Sequence, residues 1–311
     1  MKTAEIKEKV GRRLLEMMDE MGKPVWRMPW VFASVDKGFK GNPYKGINQV
    51  MCSLYRNVKG YESHLWLTDT KIKELNGLKY DTSLRKYVKA DKSANVHIKV
   101  GSKAIPIIKW DMIERKDDFG NPITDKEGNR LLFPLLRWYN VFNADCIDGY
   151  DFSRYEPKGV ADGSDVLTCE QYEERMLSTY EDHPVVVHGG NEAFYSPLSD
   201  TVTVPKPEQF SDPVMYASTL AHELGHSTGA KNRLNRDIMN SFGNDKYSKE
   251  ELVAEFTSSM VLAMMGISES PQKSSAAYIK SWYSKLEDNP EILFDAIQQA
   301  SKASGMIMGE K

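Results

Sequence analysis

One stretch of the sequence, Leu220–Gly229, contains two histidines four residues apart with a glutamate directly after the first. On a helix, residues four apart lie on one face, so His222 and His226 can hold one metal ion together. Glu223 can then reach a water molecule on that metal and act as its general base. The stretch therefore predicts a metal site.

A helix is needed to position these side chains, and the flanking residues favour one. Ser211 or Asp212 can act as the N-cap, and Pro213 suits the first helical position. Gly229 is placed to stop the last turn. Apolar residues within the stretch predict that the helix is buried.

Two histidines leave zinc short of a third protein ligand. In a second predicted helix, 247–256, Glu251 and Glu255 share one face. Two carboxylates on one face are costly near a core unless a cation or a histidine N–H meets them. We expect Glu251 to be the third ligand and Glu255 to orient a ligand histidine. The alternatives are Glu250 as the ligand, and a capping box in which Ser248 and Glu251 serve only the helix start.

A predicted hairpin at 193–205 comes directly before the metal helix. A strand there can lie along a substrate cleft and pair with an extended peptide. Tyr195 is then a possible transition-state donor, although plain packing is the alternative. His183 and His188 flank a predicted strand, and we expect them to be structural.

The chain of 311 residues is long for one core, so two α+β domains are expected, at 1–150 and 151–311. No apolar run has transmembrane length, and the first residues are charged rather than signal-like, so no membrane contact is expected. The three cysteines are scattered and odd in number. They predict reduced core residues in a cytoplasmic protein.

Net charge is distributed unevenly along the chain. Residues 1–150 contain 27 of the 41 basic residues and 19 of the 44 acidic ones, so the remainder is acidic. Within 21–110 the excess is sharper, at 17 basic against 6 acidic residues. A basic half joined to an acidic half is typical of a nucleic-acid-binding part fused to another function, although a solvated basic surface is the alternative.

Single-stranded nucleic acid is held by cations along its phosphates and by aromatic rings on which bases stack. The first half contains both kinds of side chain close together in sequence. Trp66 and Trp110 are flanked by apolar strand residues, so we expect them in the core. The predicted DNA contacts are Trp26, Arg27, Trp30, Tyr44, Lys45, Asn48, Lys99 and Lys103.

Local patterns predict the elements of the first half. A helix is expected at 3–21, a turn at 41–48 feeding a second helix, and a strand at 64–68 leading into a helix capped by Thr68 or Asp69. Two strands are expected around Gly101-Ser102, then a polar hairpin tip at 116–130 and a further strand at 137–143.

The block from His222 to Arg236, followed by Glu250-Glu251-Leu252-Val253-Ala254-Glu255, resembles the zincin-type metallopeptidase domain of ArdC-like antirestriction proteins. The first half resembles that family's N-terminal single-stranded-DNA-binding domain, which is also found at the start of TraC-type plasmid primases. The segment 276–282 fits the family as well. The motifs that carry the first-half resemblance are Pro24-Val25-Trp26, Tyr44-Lys45-Gly46-Ile47-Asn48, Trp66-Leu67-Thr68, Val100-Gly101-Ser102-Lys103 and Val141-Phe142-Asn143.

The resemblance implies an accessory protein of conjugative or mobile elements that shields incoming DNA from restriction. It carries the ligand set over to His222, His226 and Glu251, with Glu223 as the base and zinc as the cofactor. The expected partners are single-stranded DNA and an unknown protein substrate. Two other functions remain open. One is a non-catalytic DNA-shielding protein with a vestigial zinc site, and the other is a regulatory peptidase that cleaves one repressor or host factor.

Overall fold

The computed structural model describes residues 3–22, 36–89, 95–155, 167–238, 245–267 and 285–310. The first element, α1 (Thr3–Met21), is the amphipathic helix that the apolar spacing predicts. Its buried side chains recur every three or four residues and include Ile6, Val10, Leu14 and Met18. One face of this helix is therefore available for a core.

The rest of the first half is a mixture of short strands and helices. Thr68 is the N-cap of the third helix, as predicted, because its side chain accepts the backbone N–H of Lys71. In chain order the elements are β1 (Lys37–Gly38), α2 (Gly46–Lys59), β2 (Leu65–Thr68), α3 (Asp69–Leu75), β3 (Leu78–Asp81), β4 (Lys86–Lys89), β5 (His97–Ile98), β6 (Ile105–Glu114), β7 (Leu132–Asn143) and β8 (Ile147–Asp148).

Four of these strands form the main sheet, in the order β1-β2-β7-β6. The first two are parallel, and the other neighbours are antiparallel. The strands on either side of Gly101-Ser102 do not pair with each other: β5 pairs with β8, and β6 pairs with β7. The loop between β5 and β6 thus takes the chain from a two-stranded sheet to the main one. The hairpin of β3 and β4 was not predicted from the sequence.

The second half places a small sheet beside a group of helices. Its elements are α4 (Cys169–Leu177), β9 (Val185–His188), β10 (Phe194–Ser196), β11 (Thr201–Val204), α5 (Pro213–Ser227), α6 (Asp245–Met264) and α7 (Glu291–Ile307). The sheet order is β10-β11-β9, with the predicted antiparallel hairpin of β10 and β11 and a parallel pair of β11 and β9. The α+β fold class is confirmed. The three cysteines are buried and free, as expected.

One hydrophobic core crosses the expected boundary at residue 150. It joins Leu14 of α1, Val50 of α2 and Ile105 of β6 to Phe256 of α6 and Phe294 of α7, all of them buried. The last helix, α7, packs against both α1 and α6. A fragment that ended at residue 150 would therefore expose the apolar faces that α6 and α7 cover.

Candidate metal centre

The two histidines lie in the last turns of α5. This helix begins as the sequence predicts, because the carboxylate of Asp212 accepts a first-turn backbone N–H at 2.8 Å and Pro213 takes the first helical position. The Nε2 atoms of His222 and His226 are 3.2 Å apart. Both rings thus point to the same place, as the four-residue spacing requires.

A close crossing of α5 and α6 brings the third candidate ligand to these histidines. The crossing occurs at Gly225, where an added Cβ would lie 3.2 Å from the Cβ of Thr257 and 3.3 Å from the Cα of Ala254. Glycine therefore lets the two helices approach more closely than a larger residue would permit. Glu251 lies one turn before Ala254 on α6, so the same crossing places it opposite the histidine pair.

Three side chains converge on one point. The Oε2 atom of Glu251 is 3.5 Å from Nε2 of His222, and its Oε1 atom is 3.3 Å from Nε2 of His226. A tetrahedral ion bound at about 2.0–2.2 Å holds its ligand atoms about 3.3–3.6 Å apart. Among the residues that the structure describes, this is the one group of histidine, cysteine or acidic side chains that could hold an ion. The donor set and its spacing fit zinc.

Charge at this point favours a cation. Burial lowers the pKa of both histidines, but hydrogen bonds that the histidines donate to carboxylates outweigh it: Glu251 raises the pKa of His222, and Glu250 and Glu251 raise that of His226 to about 10. In return, burial raises the pKa of Glu251, while the two histidines hold it well below its usual range. The negative charge that draws protons onto the histidines would also stabilise a divalent ion between them.

Glu250 contacts the ring nitrogen of His226 that does not face Glu251. Its Oε1 atom lies 3.5 Å from Nδ1 of His226, on the side of the ring away from Glu251. Arg236 grips the same carboxylate at both oxygens, at 2.7 and 3.0 Å, and also donates to the backbone oxygen of Gly225 and to the hydroxyl of Thr228. A ligand histidine commonly gives its other N–H to a carboxylate, which fixes the ring. Glu250 therefore lies where an orienting group is needed.

The other acidic candidates can be placed as well. Glu255 adds negative charge that raises the pKa of His222, and its role in orienting a histidine stays a prediction. Helix α6 is assigned from Asp245. The side chain of Ser248 lies outside the described part of the structure, so the capping-box alternative for Glu251 stays a prediction. Glu223 is 9% exposed, and its charge is among those that raise the pKa of both histidines on α5.

Tyr195 belongs to a different hydrogen-bond network. Its hydroxyl donates to Asp200 at 2.8 Å, and burial together with this bond raises its pKa to about 12. Asp200 also receives two bonds of 2.8 Å from Arg233, whose side chain is 2% exposed. Arg233 donates in addition to the backbone oxygens of Asp182 and Ser227, and so ties the end of α5 to the neighbouring loops. The tyrosine proton is thus held by a carboxylate.

Two side chains around the site, Arg233 and Arg236, were missed by sequence reasoning, and Glu250 was weighed there only as a rival metal ligand. Arg233 holds the end of α5 and Arg236 holds the Glu250 carboxylate, yet each arginine looks like an ordinary surface charge in the sequence. Two arginines three residues apart, directly after the metal helix, are the one local signal that could have drawn attention to them. Their partners are distant in sequence, so the pairing itself is a result of folding.

The predicted DNA contacts are dispersed in the first half, and Trp26, Arg27 and Trp30 lie outside the described residues. Asn48 is structural: its amide donates to the backbone oxygen of Ile108 at 2.7 Å, and its side-chain oxygen accepts the backbone N–H of the same residue at 2.8 Å. These two bonds fasten α2 to β6.

The remaining candidates differ in accessibility. Lys103 is exposed, and the exposed Lys45 lies 3.2 Å from a carboxylate oxygen of Glu310. Lys99 donates to the backbone oxygen of Asp145 at 2.8 Å. Tyr44 is half-buried, and burial raises its pKa. Whether these side chains bind DNA stays a prediction.

The two strand tryptophans have different environments. Trp66 is buried, as predicted, and its indole N–H donates to Asp36 at 2.7 Å. The prediction that Trp110 lies in the core is wrong, because its side chain is 45% exposed. It lies on β6 towards the outer end of the hairpin with β7, where Met112 of β6 and Phe133 of β7 are exposed too. The apolar residues of this segment therefore indicated a strand, but not a covered one.

Comparisons with known proteins agree with this arrangement. Residues 4–142 match the family described as the N-terminal domain of anti-restriction factor ArdC, and residues 174–299 match the zincin-like metallopeptidase family. The fold and the site thus define a two-part protein in which a zincin-like domain follows an ArdC-type N-terminal domain. The crystal structure of the metal-free antirestriction ArdC protein from plasmid R388 is 30% identical with a TM-score of 0.67, covering 97% of this chain and 96% of that one. The chain belongs to the ArdC family of antirestriction proteins.

Further relatives extend this picture. The Mn(II)-bound structure of the R388 protein is 28% identical with a TM-score of 0.69, again over 97% of this chain and 96% of that one. Two proteins called DNA primase TraC from Escherichia coli are each 29% identical over 97% of the chain. The chain spans only 20% and 27% of their lengths. Protein y4eC of Sinorhizobium fredii is 28% identical over 96% of the chain and 90% of its own length.

No helix within the described parts of the chain is long and apolar enough to cross a membrane.

Proposed function

We propose that the chain is an antirestriction-type protein of a mobile element that binds single-stranded DNA and carries a zinc-dependent metallopeptidase site. One observation carries the catalytic part of the proposal. Ligand atoms of His222, His226 and Glu251 lie at the spacing of a tetrahedral ion, and Glu223 stands between the two histidines on the same helix. Structural zinc needs no such carboxylate, so its presence favours catalysis.

When bound, zinc would supply the Lewis acidity that activates a water molecule and polarises a peptide carbonyl. The chain's residues do the rest. His222, His226 and Glu251 hold the ion from one side, and Glu250 fixes the ring of His226 through its Nδ1 atom. The Glu223 carboxylate takes the proton of the attacking water and passes it to the leaving amine.

The extended substrate has a place to bind near this site. Strand β10 lies at the edge of its sheet and packs against α5, which carries the histidines. A free strand edge can pair with an extended peptide through main-chain hydrogen bonds. We propose that the peptide chain binds along this edge with its scissile carbonyl towards the histidine pair. The protein substrate is a host restriction or DNA-processing factor.

Support for the DNA-binding part comes from charge and family. The region 21–110 contains 17 basic and 6 acidic residues, and residues 4–142 match the ArdC N-terminal domain. Cationic side chains and exposed rings bind single strands without reading their sequence. The fluorescence anisotropy of a labelled oligonucleotide, measured with the full chain, should show binding that weakens with salt at a slope near −0.7 per phosphate contact.

Peptidase activity is tested with four forms of the full chain: wild type, Glu223→Gln, His226→Ala and the control Glu192→Gln. Glu192 is an exposed glutamate in the loop between β9 and β10, so its loss should leave cleavage unchanged. Each form is loaded with Zn²⁺ or Mn²⁺ and incubated with the subunits of a restriction endonuclease, with and without single-stranded DNA. We expect discrete fragments from the wild type and the control only.

The same variants separate the proposal from its alternatives. If Glu223→Gln cleaves as fast as the wild type, the site is not the source of cleavage. If Glu223→Gln protects incoming DNA from restriction in cells as well as the wild type does, shielding by DNA binding alone is the function. If the cleaved protein is a single repressor and restriction enzymes are untouched, the chain is a regulatory peptidase.

A further inference from the structure

The hairpin of β3 and β4 is a short ribbon with no third strand among the described residues. Isolated two-stranded hairpins are at best marginally stable. This one is closed by a turn in which Asp81 accepts the backbone N–H groups of Ser83 and Leu84 at 2.8 and 3.0 Å. These bonds hold the pKa of Asp81 below its usual range. The acidic side chain of the ribbon is therefore used in building its turn.

Four exposed cations surround this ribbon. Lys79 lies on β3, Lys86 and Lys89 lie on β4, and Arg85 is the last residue of the turn. Within the described parts of the chain, none of the four makes an ion pair. Asp81 is the one acidic residue between positions 78 and 89. The ribbon thus presents positive charge that the described protein leaves for another partner.

The turn includes a backbone conformation that arginine rarely adopts. Arg85 has a φ of 50°, in the left-handed region where glycine or asparagine is at ease. Arginine is uncommon at such a position, and strained conformations of this kind cluster at functional sites. Here it places a guanidinium group at the tip of the ribbon.

An exposed aromatic ring lies on one face of the ribbon. Tyr80 and Tyr87 are directly opposite each other, with ring centroids 5.2 Å apart and planes at 66°. Tyr80 is 48% exposed, while Tyr87 is covered by Lys73, whose Nζ lies 4.9 Å from its ring centre. Lys89 shares this face two pairs further along. A fixed ring with a solvent-exposed surface and a cation beside it suits a stacked base next to its phosphate.

We infer that the β3–β4 ribbon is an arm that binds single-stranded DNA, with a base stacked on Tyr80 and phosphates held by Arg85 and Lys89. The inference rests on the proposed DNA-binding function and assigns part of it to residues outside the expected contact set. The ribbon is too narrow to enclose a strand, so it adds contacts to the rest of the basic half. Because stacking and phosphate contacts read no base edges, the arm does not select sequence.

The test measures anisotropy with a labelled oligonucleotide of mixed sequence and the full chain at several salt concentrations. Arg85→Asn removes the charge while keeping a residue that tolerates positive φ, so the fold should be retained. It should weaken binding and flatten the salt slope by about 0.7. Lys126→Asn is the matched control, since Lys126 is an exposed cation in a turn between β6 and β7, away from the ribbon in the chain.

Tyr80 is tested separately from the charge. Tyr80→Ala should weaken single-strand binding by about 5- to 150-fold with the salt slope unchanged. Tyr80→Phe keeps the ring and should bind like the wild type. Thermal melts of each variant verify that the protein is folded. A loss in Tyr80→Phe equal to that in Tyr80→Ala would overturn the stacking role.

Other outcomes discriminate between the two proposals. If the wild type binds single strands and the Arg85→Asn and Tyr80→Ala variants bind equally well, the arm is wrong and the DNA-binding function stands. If Lys126→Asn weakens binding as much as Arg85→Asn, the effect is general charge and the arm is again wrong. If the wild type prefers duplex DNA or binds no DNA at low salt, both proposals fail.

Discussion

Replacing Arg236 by methionine should weaken the metal centre without touching a metal ligand. The Arg236 and Glu250 side chains are 8% and 10% exposed, so their ion pair is almost completely desolvated. Removing one partner of a buried pair leaves the other charge uncompensated and costs about 3–5 kcal/mol. The variant also leaves the backbone oxygen of Gly225 and the hydroxyl of Thr228 without their arginine donor. We expect the loss in free energy of unfolding to fall in this range.

The effect on metal binding has a separate origin. Glu250 lies 3.5 Å from Nδ1 of His226, and a carboxylate in this position orients the ring and makes it a better ligand. Without Arg236 the carboxylate is free to turn away from the histidine. Groups that hold a ligand in this manner contribute about 10–100-fold to metal affinity. Competition with a chromophoric chelator measures this loss at a temperature where the variant is folded.

A double-mutant cycle tests the reasoning. Glu250→Gln keeps the size of the side chain but removes its charge, so the Arg236→Met substitution should be less damaging in that background. Urea unfolding of the metal-free forms should therefore give a coupling free energy of at least about 1 kcal/mol. If the free energy of unfolding of Arg236→Met lies within about 0.5 kcal/mol of the wild-type value, or if the effects of the two single substitutions simply add, the Arg236–Glu250 ion pair does not support the site as described.

Three further predictions concern helix packing at Gly225, the pH dependence of stability at Asp200, and the hydrogen bonds of Asn48. Gly225→Ala should push α6 away and lower metal affinity, with a stability loss of about 1–3 kcal/mol, whereas Gly189→Ala, which has open space, should be neutral in the same assays. Hydrogen bonds from Arg233 lower the pKa of Asp200 in the folded protein. The ionised carboxylate therefore stabilises the fold at pH values above its unfolded-state pKa of about 3.9, and this stabilisation is lost as the pH falls through its folded-state pKa. Thermal melts should show a gap between the wild type and Asp200→Asn near pH 7 that closes towards about pH 2, and a constant gap would contradict this. Asn48→Ala should cost about 1–3 kcal/mol of stability with an unchanged salt slope of DNA binding, since its amide bonds the backbone rather than phosphate.

Local features of the sequence predicted the helix that carries the histidines. Asp212 caps it, Pro213 starts it, and the four-residue spacing puts both rings on one face. These signals work because capping and helical periodicity depend on neighbours in the chain. Glu251 was preferred to Glu250 because it shares a helix face with Glu255, and this four-residue spacing is also a local feature of the sequence.

Features that depend on distant contacts were not predictable. Arg236 pairs with Glu250, which lies 14 positions away in the chain, and nothing in the sequence around either residue indicates the pairing. Trp110 was grouped with Trp66 as a core residue, but it lies between Lys109 and Asp111 on the outer part of β6, and its ring is exposed. The β3–β4 ribbon lacks the short glycine turn of a typical hairpin, because Arg85 takes the left-handed position. Tertiary contacts decide these three features.

Helix α6 supplies Glu251 to the histidines on one side and buries Phe256 in the core shared with α1 and α2 on the other. The two halves therefore depend on each other for folding. A gene that encoded one half without the other would produce a protein with an exposed apolar surface. The TraC relatives match the chain over 97% of its length within much longer proteins, so both halves occur together there. Recombination that separates the two halves at residue 150 should therefore fail to give folded proteins.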